Sequence, residues 1–324
     1  MKEQERYAIK LEATRLYYLE DIPQKEIAER LNISRPTLTK FLKEAKQEGI
    51  VKIEVCDIQK LNEFMEIENE LKQKLGLREV KIVDAVSDNS EEIMNGIAQY
   101  ATQYIQQFIK SNMRIGVGWG KTLEVIAKNM VSAKNIRNVT FMPILGGPGK
   151  ADHCSMFANI LCEHIASNYS GSMVDYVYAP LFAGNAAMKE AYVNLPNIKS
   201  TLEKFDELDM AITAIDGDLE HSMTLKVENA SGETRRQLAE SNVVGSMCAR
   251  FYDIEGNERI TEMTERIVAI SLEQIRKTPL VIATGGGSHK VGSIIGGART
   301  HIFNILVTDI YTAEKILNFL NKEN

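Results

Sequence analysis

Apolar residues recur at helical spacing through the first 50 residues of the chain. Residues 5–19 carry one such stripe, and Pro23 marks its end because proline disfavours a helical conformation at the residue before it. In the next stretch Ile27, Ala28 and Leu31 share one helical face. A third stripe consists of Leu38, Phe41, Leu42 and Ala45. The pattern predicts three short helices that pack their apolar faces together.

A tight corner joins the second and third of these helices. The chain turns at residues 32–33, and Ser34 is a suitable N-cap for a helix that begins at Arg35. Pro36 then falls in the first helical turn, where its missing N–H group costs no hydrogen bond. Two helices joined in this way, with a basic and polar outer face on the second, are typical of a helix-turn-helix.

The charge of this segment favours DNA binding over an ordinary helical hairpin with a solvated face. Residues 24–46 contain six Lys or Arg and three Glu, which gives a net charge of +3 within a chain of net charge −6. We expect the basic side chains to contact DNA phosphates and the hydroxyl side chains to reach base edges. The predicted DNA-binding residues are Gln24, Ser34, Arg35, Pro36, Thr37, Thr39, Lys40 and Lys43.

Two further segments follow the helix-turn-helix. After Gly49, residues 50–55 alternate apolar and polar positions, which predicts the strand of a small wing. Residues 59–75 then show apolar positions at helical spacing, and Gly76 follows as a helix stop. These apolar positions are Leu61, Phe64, Ile67, Leu71 and Leu75. Such a linker helix packs either on the next domain or on the same helix of another subunit, and the pattern does not separate the two.

From Val80 onward, short β-rich runs alternate with amphipathic segments. The predicted strands cover residues 80–83, 114–117, 139–144, 210–215, 280–283 and 302–307. The predicted helices cover residues 91–108, 122–130, 157–166, 292–298 and 312–319. This alternation indicates an α/β domain with a mainly parallel sheet. The predicted organisation is a DNA-binding domain over residues 1–57, a linker helix over 58–77 and an α/β domain over 78–324.

Glycine-rich loops follow three of the predicted strands. The loops are Gly118-Trp119-Gly120-Lys121-Thr122, Gly146-Gly147-Pro148-Gly149 and Gly285-Gly286-Gly287-Ser288-His289-Lys290. In sheets of this kind, ligands bind beyond the carboxyl ends of the strands. Glycines let backbone N–H groups approach an anion, a following helix adds its positive dipole end, and Lys121 and Lys290 add full charges. Although one such loop alone could be a steric turn, the three together predict a site for a small anionic ligand, with Thr122 and Ser288 as hydroxyl donors.

The loops also narrow the class of this ligand. They contain neither a Walker pattern nor a GxGxxG between a strand and a helix, which disfavours a mononucleotide or dinucleotide. Asp216-Gly217-Asp218 follows the predicted strand 210–215, and its carboxylates either accept hydrogen bonds from sugar hydroxyls or form a turn. Residues 251–257 are more typical of a hairpin than of a binding site.

The composition bears on location and metal binding. No run approaches the roughly 18 apolar residues of a membrane span, and residues 1–5 lack the apolar core of a signal peptide. The four cysteines, at positions 56, 154, 162 and 248, lack the paired spacing of metal ligands and are expected to be free thiols. His153 and His164 do not complete a zinc set with them. We therefore expect a cytoplasmic protein without a metal or a cofactor.

Taken together, these motifs resemble the SorC/DeoR-type sugar-binding transcriptional regulators of bacteria. The resemblance covers nearly the whole chain and follows the order of the family's motifs. They are Leu16-Tyr17-Tyr18, 24–46, Gly49-Ile50-Val51, 117–122, 143–147, Val244-Gly245, 250–253, Ile270-Ser271-Leu272, Lys290, 306–309 and Thr312-Ala313-Glu314. One departure is Ser246, at a position where the family often has an acidic residue.

The resemblance implies a Rossmann-like effector domain similar to the ribose-5-phosphate isomerase and glucosamine-6-phosphate deaminase superfamily. It also implies a phosphorylated sugar as effector and an assembly of several copies, commonly a tetramer built as a dimer of dimers. By motif, the phosphate would lie beside Gly118, Trp119, Gly120, Lys121 and Thr122. The sugar would lie beside Gly146, Gly147, Asp216, Gly285 and Lys290.

The leading hypothesis is that the protein is a DNA-binding transcriptional regulator that represses a carbohydrate operon. A phosphorylated sugar would control its affinity for double-stranded operator DNA. The alternative is a sugar-phosphate isomerase or deaminase with an appended DNA-binding module. Such an enzyme needs a positioned acid and base. The candidates are Asp216, Asp218, Asp253 and His289, but the sequence around them contains no motif that requires catalysis. We therefore expect that the protein is not an enzyme.

Overall fold

The computed structural model describes residues 3–51, 58–133, 135–147 and 154–323. The contacts between residues divide the chain into two compact units, Met1–Leu61 and Asn62–Asn324.

The first unit has a three-helix core. Its helices are α1 (Glu3–Tyr18), α2 (Gln24–Arg30) and α3 (Arg35–Gln47). The buried residues that hold them together are Ala13, Leu16, Ile27, Ala28, Leu38 and Leu42. Asn32 turns the chain with a left-handed φ of 49°, and the Thr37 backbone N–H donates to Ser34 Oγ at 3.2 Å. The three helices, the corner and the N-cap are thus confirmed, whereas most of the predicted wing strand lies outside the described residues.

The second unit is an α/β domain. Within the described residues its main sheet has seven parallel strands in the order β1-β9-β8-β5-β2-β3-β4, and β6 and β7 form a separate antiparallel hairpin. The strands are β1 (Glu79–Val83), β2 (Arg114–Val117), β3 (Thr140–Pro143), β4 (Met173–Val174), β5 (Met210–Ala214), β6 (Val243–Met247), β7 (Arg250–Asp253), β8 (Leu280–Thr284) and β9 (Ile305–Asp309). The mainly parallel sheet is therefore confirmed.

Helices cover this sheet, and the core lies on both of its faces. The helices are α4 (Ile58–Leu75), α5 (Ser90–Gln106), α6 (Lys121–Asn129), α7 (Ala158–Ala166), α8 (Ala186–Val193), α9 (Pro196–Glu203), α10 (Met223–Glu228), α11 (Gly232–Glu240), α12 (Leu272–Lys277), α13 (Val291–Arg299) and α14 (Ile310–Glu323). Successive residues of β8 belong alternately to two apolar clusters, with Val281 in one and Ile282 in the other. Since side chains alternate along a strand, each cluster covers one face of the sheet.

Helix α4 packs on the α/β unit of its own chain. Phe64, Leu71 and Leu75 are buried in one of the two apolar clusters. Glu68 Oε1 accepts a 2.9 Å hydrogen bond from the backbone N–H of Ile82 in β1, which is an edge strand of the sheet. Of the two roles that the sequence left open for this helix, packing on the next domain is the one that the structure shows.

The sequence patterns missed several short elements of the α/β unit. These elements are helices α8 to α12, strand β4, and strand β6 of the hairpin. Strand β4 has two residues, and β6 contains Gly245 and Ser246, which weaken a strand pattern. The predicted last strand was displaced, because the β conformation begins at Ile305 rather than at residue 302.

Candidate functional site

A pocket of about 550 Å³ lies at the carboxyl ends of β8, β5 and β2, which are neighbours in the sheet. Its volume falls within the roughly 300–1,000 Å³ that is usual for small-molecule sites. The lining residues are Ser90, Glu91, Met94, Trp119, Gly120, Lys121, Thr122, Ala214, Ile215, Asp216, Gly217, His221, Met223, Thr224, Lys226, Ser246, Cys248, Ala249, Gly286, His289 and Lys290. The glycine loops after β2 and β8 therefore both contribute to one pocket.

The loop after β2 forms one wall of the pocket. Gly120 has a φ of 125°, a conformation that other residues rarely adopt, and it precedes α6. Its backbone N–H donates to the Met156 carbonyl at 3.0 Å. Trp119 is buried and stacks on Phe157 with ring centroids 5.1 Å apart, which fixes the loop on the core. Lys121 is exposed at the first turn of α6 and lines the pocket.

A buried carboxylate accepts a hydrogen bond from the loop after β8. Asp309, only 1% exposed, accepts hydrogen bonds from the Gly287 backbone N–H at 3.3 Å and from the Thr312 hydroxyl at 2.5 Å. The Gly287 N–H also donates to Thr312 Oγ1 at 2.7 Å, and Gly287 has a φ of 98°. These contacts set the backbone that carries His289 and Lys290 into the pocket.

Three lysines line this pocket together with the carboxylates of Glu91 and Asp216. Lys121, Lys226 and Lys290 all line it, and across the described ranges none of them forms an ion pair. Burial lowers the pKa of Lys290, while the charge of Asp216 acts in the opposite direction. Lysines without an ion pair can form charge-assisted hydrogen bonds with an anionic ligand.

Asp216 lines the pocket, but its carboxylate is already engaged. Oδ1 accepts from the backbone N–H groups of Gly217 at 3.0 Å and Met223 at 2.9 Å. Oδ2 accepts from the Ser222 hydroxyl at 2.6 Å and from the Thr224 backbone N–H at 3.0 Å. The carboxylate therefore organises the chain from β5 into α10. Of the two alternatives for Asp216-Gly217-Asp218, the structure shows the turn.

Two histidine rings lie close together at the pocket, tilted by 37°. The rings of His221 and His289 lie 4.9 Å apart, and His221 Nδ1 lies 2.8 Å from Asp218 Oδ1. Burial lowers the pKa of His289, and the neighbouring charges of Lys290 and His221 lower it further. Unliganded His289 is therefore mainly neutral at pH 7, and a bound anion would favour its protonated form.

Four glycines predicted to contact the ligand lie outside the residues that line the pocket: Gly118, Gly146, Gly147 and Gly285. Close packing accounts for two of them. A Cβ at Gly146 would lie 2.6 Å from the Pro180 carbonyl, and a Cβ at Gly118 would lie 2.9 Å from Thr213 Oγ1. The backbone of Gly147 pairs with residues 179–181, and Gly285 N–H donates to the Val307 carbonyl. In the structure these glycines serve backbone packing, and their contacts with a ligand stay a prediction.

The sequence also missed several lining residues. Ser90, Glu91 and Met94 come from the start of α5, Thr224 and Lys226 from the short helix α10, and Cys248 and Ala249 from the hairpin turn. None of these segments carries a glycine loop or a charge pattern that would single it out. Ser288, expected as a hydroxyl donor to the ligand, is exposed, and its hydroxyl lies within 3.4 Å of Asp88 outside the pocket.

In the first unit, the predicted DNA-binding residues belong to α2, to α3 and to the N-cap of α3. Ser34, Arg35, Pro36, Thr39, Lys40 and Lys43 are exposed, and Gln24 and Thr37 are partly exposed. The hydroxyls of Ser34 and Thr37 lie 2.7 Å apart and form part of the helix cap. Glu44, the one acidic residue of α3, is paired with Arg6 at 2.8 Å and Lys10 at 3.3 Å from α1. Helix α3 therefore presents an exposed basic face.

A helix-turn-helix unit joined to an α/β unit with a cationic pocket defines a ligand-responsive DNA-binding regulator. A winged helix-turn-helix DNA-binding model matches residues 20–52, and the family model described as "Putative sugar-binding domain" matches residues 59–318. The chain belongs to this family, the SorC/DeoR-type sugar-binding transcriptional regulators. The family resemblance seen in the motifs is thereby confirmed.

Similar proteins span the same length. The deoxyribonucleoside regulator of Bacillus subtilis is 28% identical over 318 residues, which cover 98% of this chain and 100% of that protein. The sorbitol operon regulator of Klebsiella pneumoniae is 28% identical over 93% of this chain and 95% of its own. The crystal structure of that full-length regulator, SorC, superposes with a TM-score of 0.85, at 27% identity over 96% of this chain and 98% of that one.

These relatives are named as transcriptional regulators, so the chain is a regulator and not an isomerase or deaminase. The winged helix-turn-helix match over residues 20–52 and the parallel sheet of the second unit confirm the predicted fold class. Within the described ranges, no helix has the length and apolar character needed to cross a membrane.

Proposed function

We propose that the protein is a cytoplasmic repressor of a carbohydrate operon and that binding of a phosphorylated sugar controls its affinity for operator DNA. The observation that carries this proposal is the pocket with three lysines that lack ionic partners. A dianionic phosphate would be attracted to these ammonium groups, while the loops after β2 and β8 supply backbone donors.

The size and polarity of the pocket favour a sugar phosphate over a larger ligand. A pocket of about 550 Å³ suits a sugar of five or six carbons with a phosphate group. Beside the lysines, the hydroxyl of Thr122 and the imidazoles of His221 and His289 provide polar partners for a hydroxylated ligand.

A single copy of the chain would bind DNA weakly, because its helix-turn-helix segment has a net charge of only +3. We therefore propose a homo-oligomer, a tetramer built as a dimer of dimers, that occupies paired half-sites. Light scattering coupled to size-exclusion chromatography measures this directly. A monomer at micromolar concentration would contradict the proposed assembly.

A thermal-shift screen tests the ligand class. Glucose 6-phosphate, fructose 6-phosphate, ribose 5-phosphate, the unphosphorylated sugars and inorganic phosphate are added to the full-length protein. A sugar phosphate present at 100 times its Kd would stabilise the protein by about 2.7 kcal/mol. A wider panel of pentose and hexose phosphates follows, and failure of every sugar phosphate to raise the melting temperature would overturn the proposal.

Lys290→Met tests the assignment of the pocket. We expect this variant to lose most of the stabilisation by the sugar phosphate, because the ammonium group would contact the bound ligand. Lys199→Met, at an exposed position of α9 outside the pocket, is the matched control and should respond like the wild type. DNA fragments that flank the protein's own gene, labelled for fluorescence anisotropy, then show whether the same ligand releases the protein from DNA.

A further inference from the structure

The acidic residue of helix α3, Glu44, turns its carboxylate toward α1. Arg6 Nη2 donates to both of its oxygens, at 2.8 and 3.0 Å, and Lys10 Nζ donates to one of them at 3.3 Å. The guanidinium carbon of Arg6 also lies 5.5 Å from the centroid of the Phe41 ring, over this side chain of α3. Two cations of α1 therefore set the direction in which Glu44 points.

Lys10 is held in this arrangement because its ammonium group is buried. The residue is only 5% exposed, and its Nζ lies 2.6 Å from Glu48 Oε1 as well as 3.3 Å from Glu44 Oε2. The hydrogen bond with Glu48 raises the pKa of Lys10, and the bond with Glu44 adds to this effect, which outweighs the opposing effect of burial. Since a buried charge is costly without a partner, Lys10 keeps both carboxylates beside α1.

Lys40 lies one helical turn before Glu44, at a spacing that makes the two side chains neighbours on the helix surface. It is exposed, and it is one of the residues predicted to contact DNA phosphates. The pKa of Glu44 lies below its usual value, because the neighbouring cations, Lys40 among them, outweigh the opposing effect of burial. Among the described residues Lys40 nevertheless forms no ion pair, since the carboxylate is engaged by α1.

Ion pairs at this spacing do form elsewhere in the described part of the chain. On α2, Arg30 Nη2 lies 2.6 Å from Glu26 Oε1. On α11, Arg236 Nε and Glu240 Oε1 lie 3.9 Å apart, with the cation first along the helix, as on α3. Helix α3 therefore lacks a pair that its spacing allows.

The direction of Glu44 bears on how α3 meets DNA. An ammonium group paired with a carboxylate must give up that partner to contact a phosphate, and the carboxylate would then repel the same phosphate. Glu48 does not compete for Lys40 in this way, because the two lie eight residues apart, about 12 Å along the helix axis. Glu44 is therefore the carboxylate of α3 that could neutralise Lys40.

We propose that Arg6 and Lys10 are positioning residues for DNA binding, which hold Glu44 against α1 and so leave the ammonium group of Lys40 available to a DNA phosphate. Both lie outside residues 20–52, which the winged helix-turn-helix model matches. The inference rests on the DNA-binding role of the first unit and on the phosphate contact predicted for Lys40. It is independent of the effector, so its failure and that of the proposed effector control are distinguishable.

Fluorescence anisotropy with a labelled duplex DNA of mixed sequence tests the inference on the full-length protein. Phosphate contacts do not depend on base sequence, so this duplex suffices, and the salt concentration is varied between about 50 and 200 mM. Arg6→Met/Lys10→Met should reduce the slope of log K against log salt concentration by about 0.9 for each DNA-bound copy, because one phosphate contact is lost. At about 0.1 M salt this corresponds to a roughly eightfold loss of affinity per contact.

Two triple variants with the same net charge separate the proposed mechanism from a general effect of charge. Adding Glu44→Gln to the double variant should restore the wild-type slope, because no carboxylate is left to pair with Lys40. Adding Glu12→Gln instead, at an exposed position of α1, should not restore it. Arg15→Met, which removes an exposed cation of α1 that pairs with Glu20, should keep the wild-type slope.

Lys40→Met sets the scale of the effect. It should reduce the slope as much as Arg6→Met/Lys10→Met does, and combining all three substitutions should cause no further reduction. Circular dichroism melting curves verify that each variant is folded at the assay temperature. Because Lys10 is buried, Arg6→Met alone, at a side chain that is 43% exposed, is the second variant and should change the slope in the same direction.

Each outcome decides the inference. An unchanged slope for the folded Arg6 variants overturns it. If Glu44→Gln does not restore the slope, the two cations act by packing α1 against α3, and the inference is overturned as well. Equal recovery with Glu12→Gln would leave net charge as the cause and overturn it too. If Lys40→Met leaves the slope unchanged, Lys40 makes no phosphate contact and the inference fails, whereas the proposed effector control stands.

Discussion

Replacing Asp216 with alanine should destabilise the α/β unit. The carboxylate accepts four hydrogen bonds, three from backbone N–H groups and one from the Ser222 hydroxyl. A typical hydrogen bond contributes about 1 kcal/mol net, and bonds to a charged group contribute more. Because Asp216 is only partly buried, water would satisfy some of the freed donors. We therefore expect a loss of about 3 kcal/mol in the free energy of unfolding.

Urea unfolding followed by tryptophan fluorescence measures this loss. The chain has a single tryptophan, Trp119, which stacks on Phe157 in the α/β unit, so the signal reports on that unit. With an m-value of about 3 kcal/mol per molar urea, the midpoint should fall by about 1 M. Asp216→Asn should lose about half as much, because an amide can accept at one oxygen and not at its nitrogen.

The result separates the two roles that the sequence allowed for Asp216. A carboxylate that mainly contacts a sugar could be removed with little effect on unfolding and a large effect on ligand affinity. An unchanged urea midpoint for Asp216→Ala, together with weaker ligand binding, would therefore refute the structural role.

Three further predictions concern the DNA-binding face, the pocket histidines and the packing of a glycine. Lys43→Glu should weaken DNA binding and reduce the slope of log K against log salt concentration by about 1–2. The control Lys199→Glu, in the α/β unit, should change neither the affinity nor the slope. An unchanged slope for Lys43→Glu would contradict the assigned orientation of α3. Because the pKa of His289 is lowered in the folded protein, the unfolded chain binds more protons near the usual histidine pKa of 6.5. The free energy of unfolding should therefore fall as the pH falls through this range. His289→Gln should flatten this dependence of the free energy of unfolding on pH, measured by urea unfolding. Gly146→Ala should lower the melting temperature by several degrees, because its Cβ would lie 2.6 Å from the Pro180 carbonyl, and a wild-type melting temperature would show that this contact relaxes freely.

Local sequence signals predicted the elements that local interactions define. The three-helix core, the Ser34 cap and the corner at Asn32 follow from apolar spacing and from residues with strong conformational preferences. The strands at the centre of the sheet are short apolar runs with glycine after them, since a parallel strand is buried on both faces. The loops that contain Lys121 and Lys290 were therefore located without knowledge of the fold.

The pocket walls depend on which residues become neighbours in the folded chain. Asp216 and Thr224 are eight residues apart, yet whether the carboxylate faces a ligand or the backbone depends on how the chain returns through Ser222. The sequence predicts that Gly146 contacts a ligand, whereas in the structure the segment around Pro180 packs against its α-carbon. No spacing in the sequence shows either arrangement.

The amino-acid sequence by itself therefore determined the class of protein, the helix-turn-helix and the edge of the sheet at which the pocket lies. These features rest on periodicity and on glycine and proline preferences, which act over a few residues. The assignment of Asp216 to a turn, of Gly146 to packing and of Glu44 to ion pairs with α1 came from the tertiary structure. The physical reason is that hydrogen-bond satisfaction and close packing are properties of neighbours in space, which the spacing of residues in the sequence does not show.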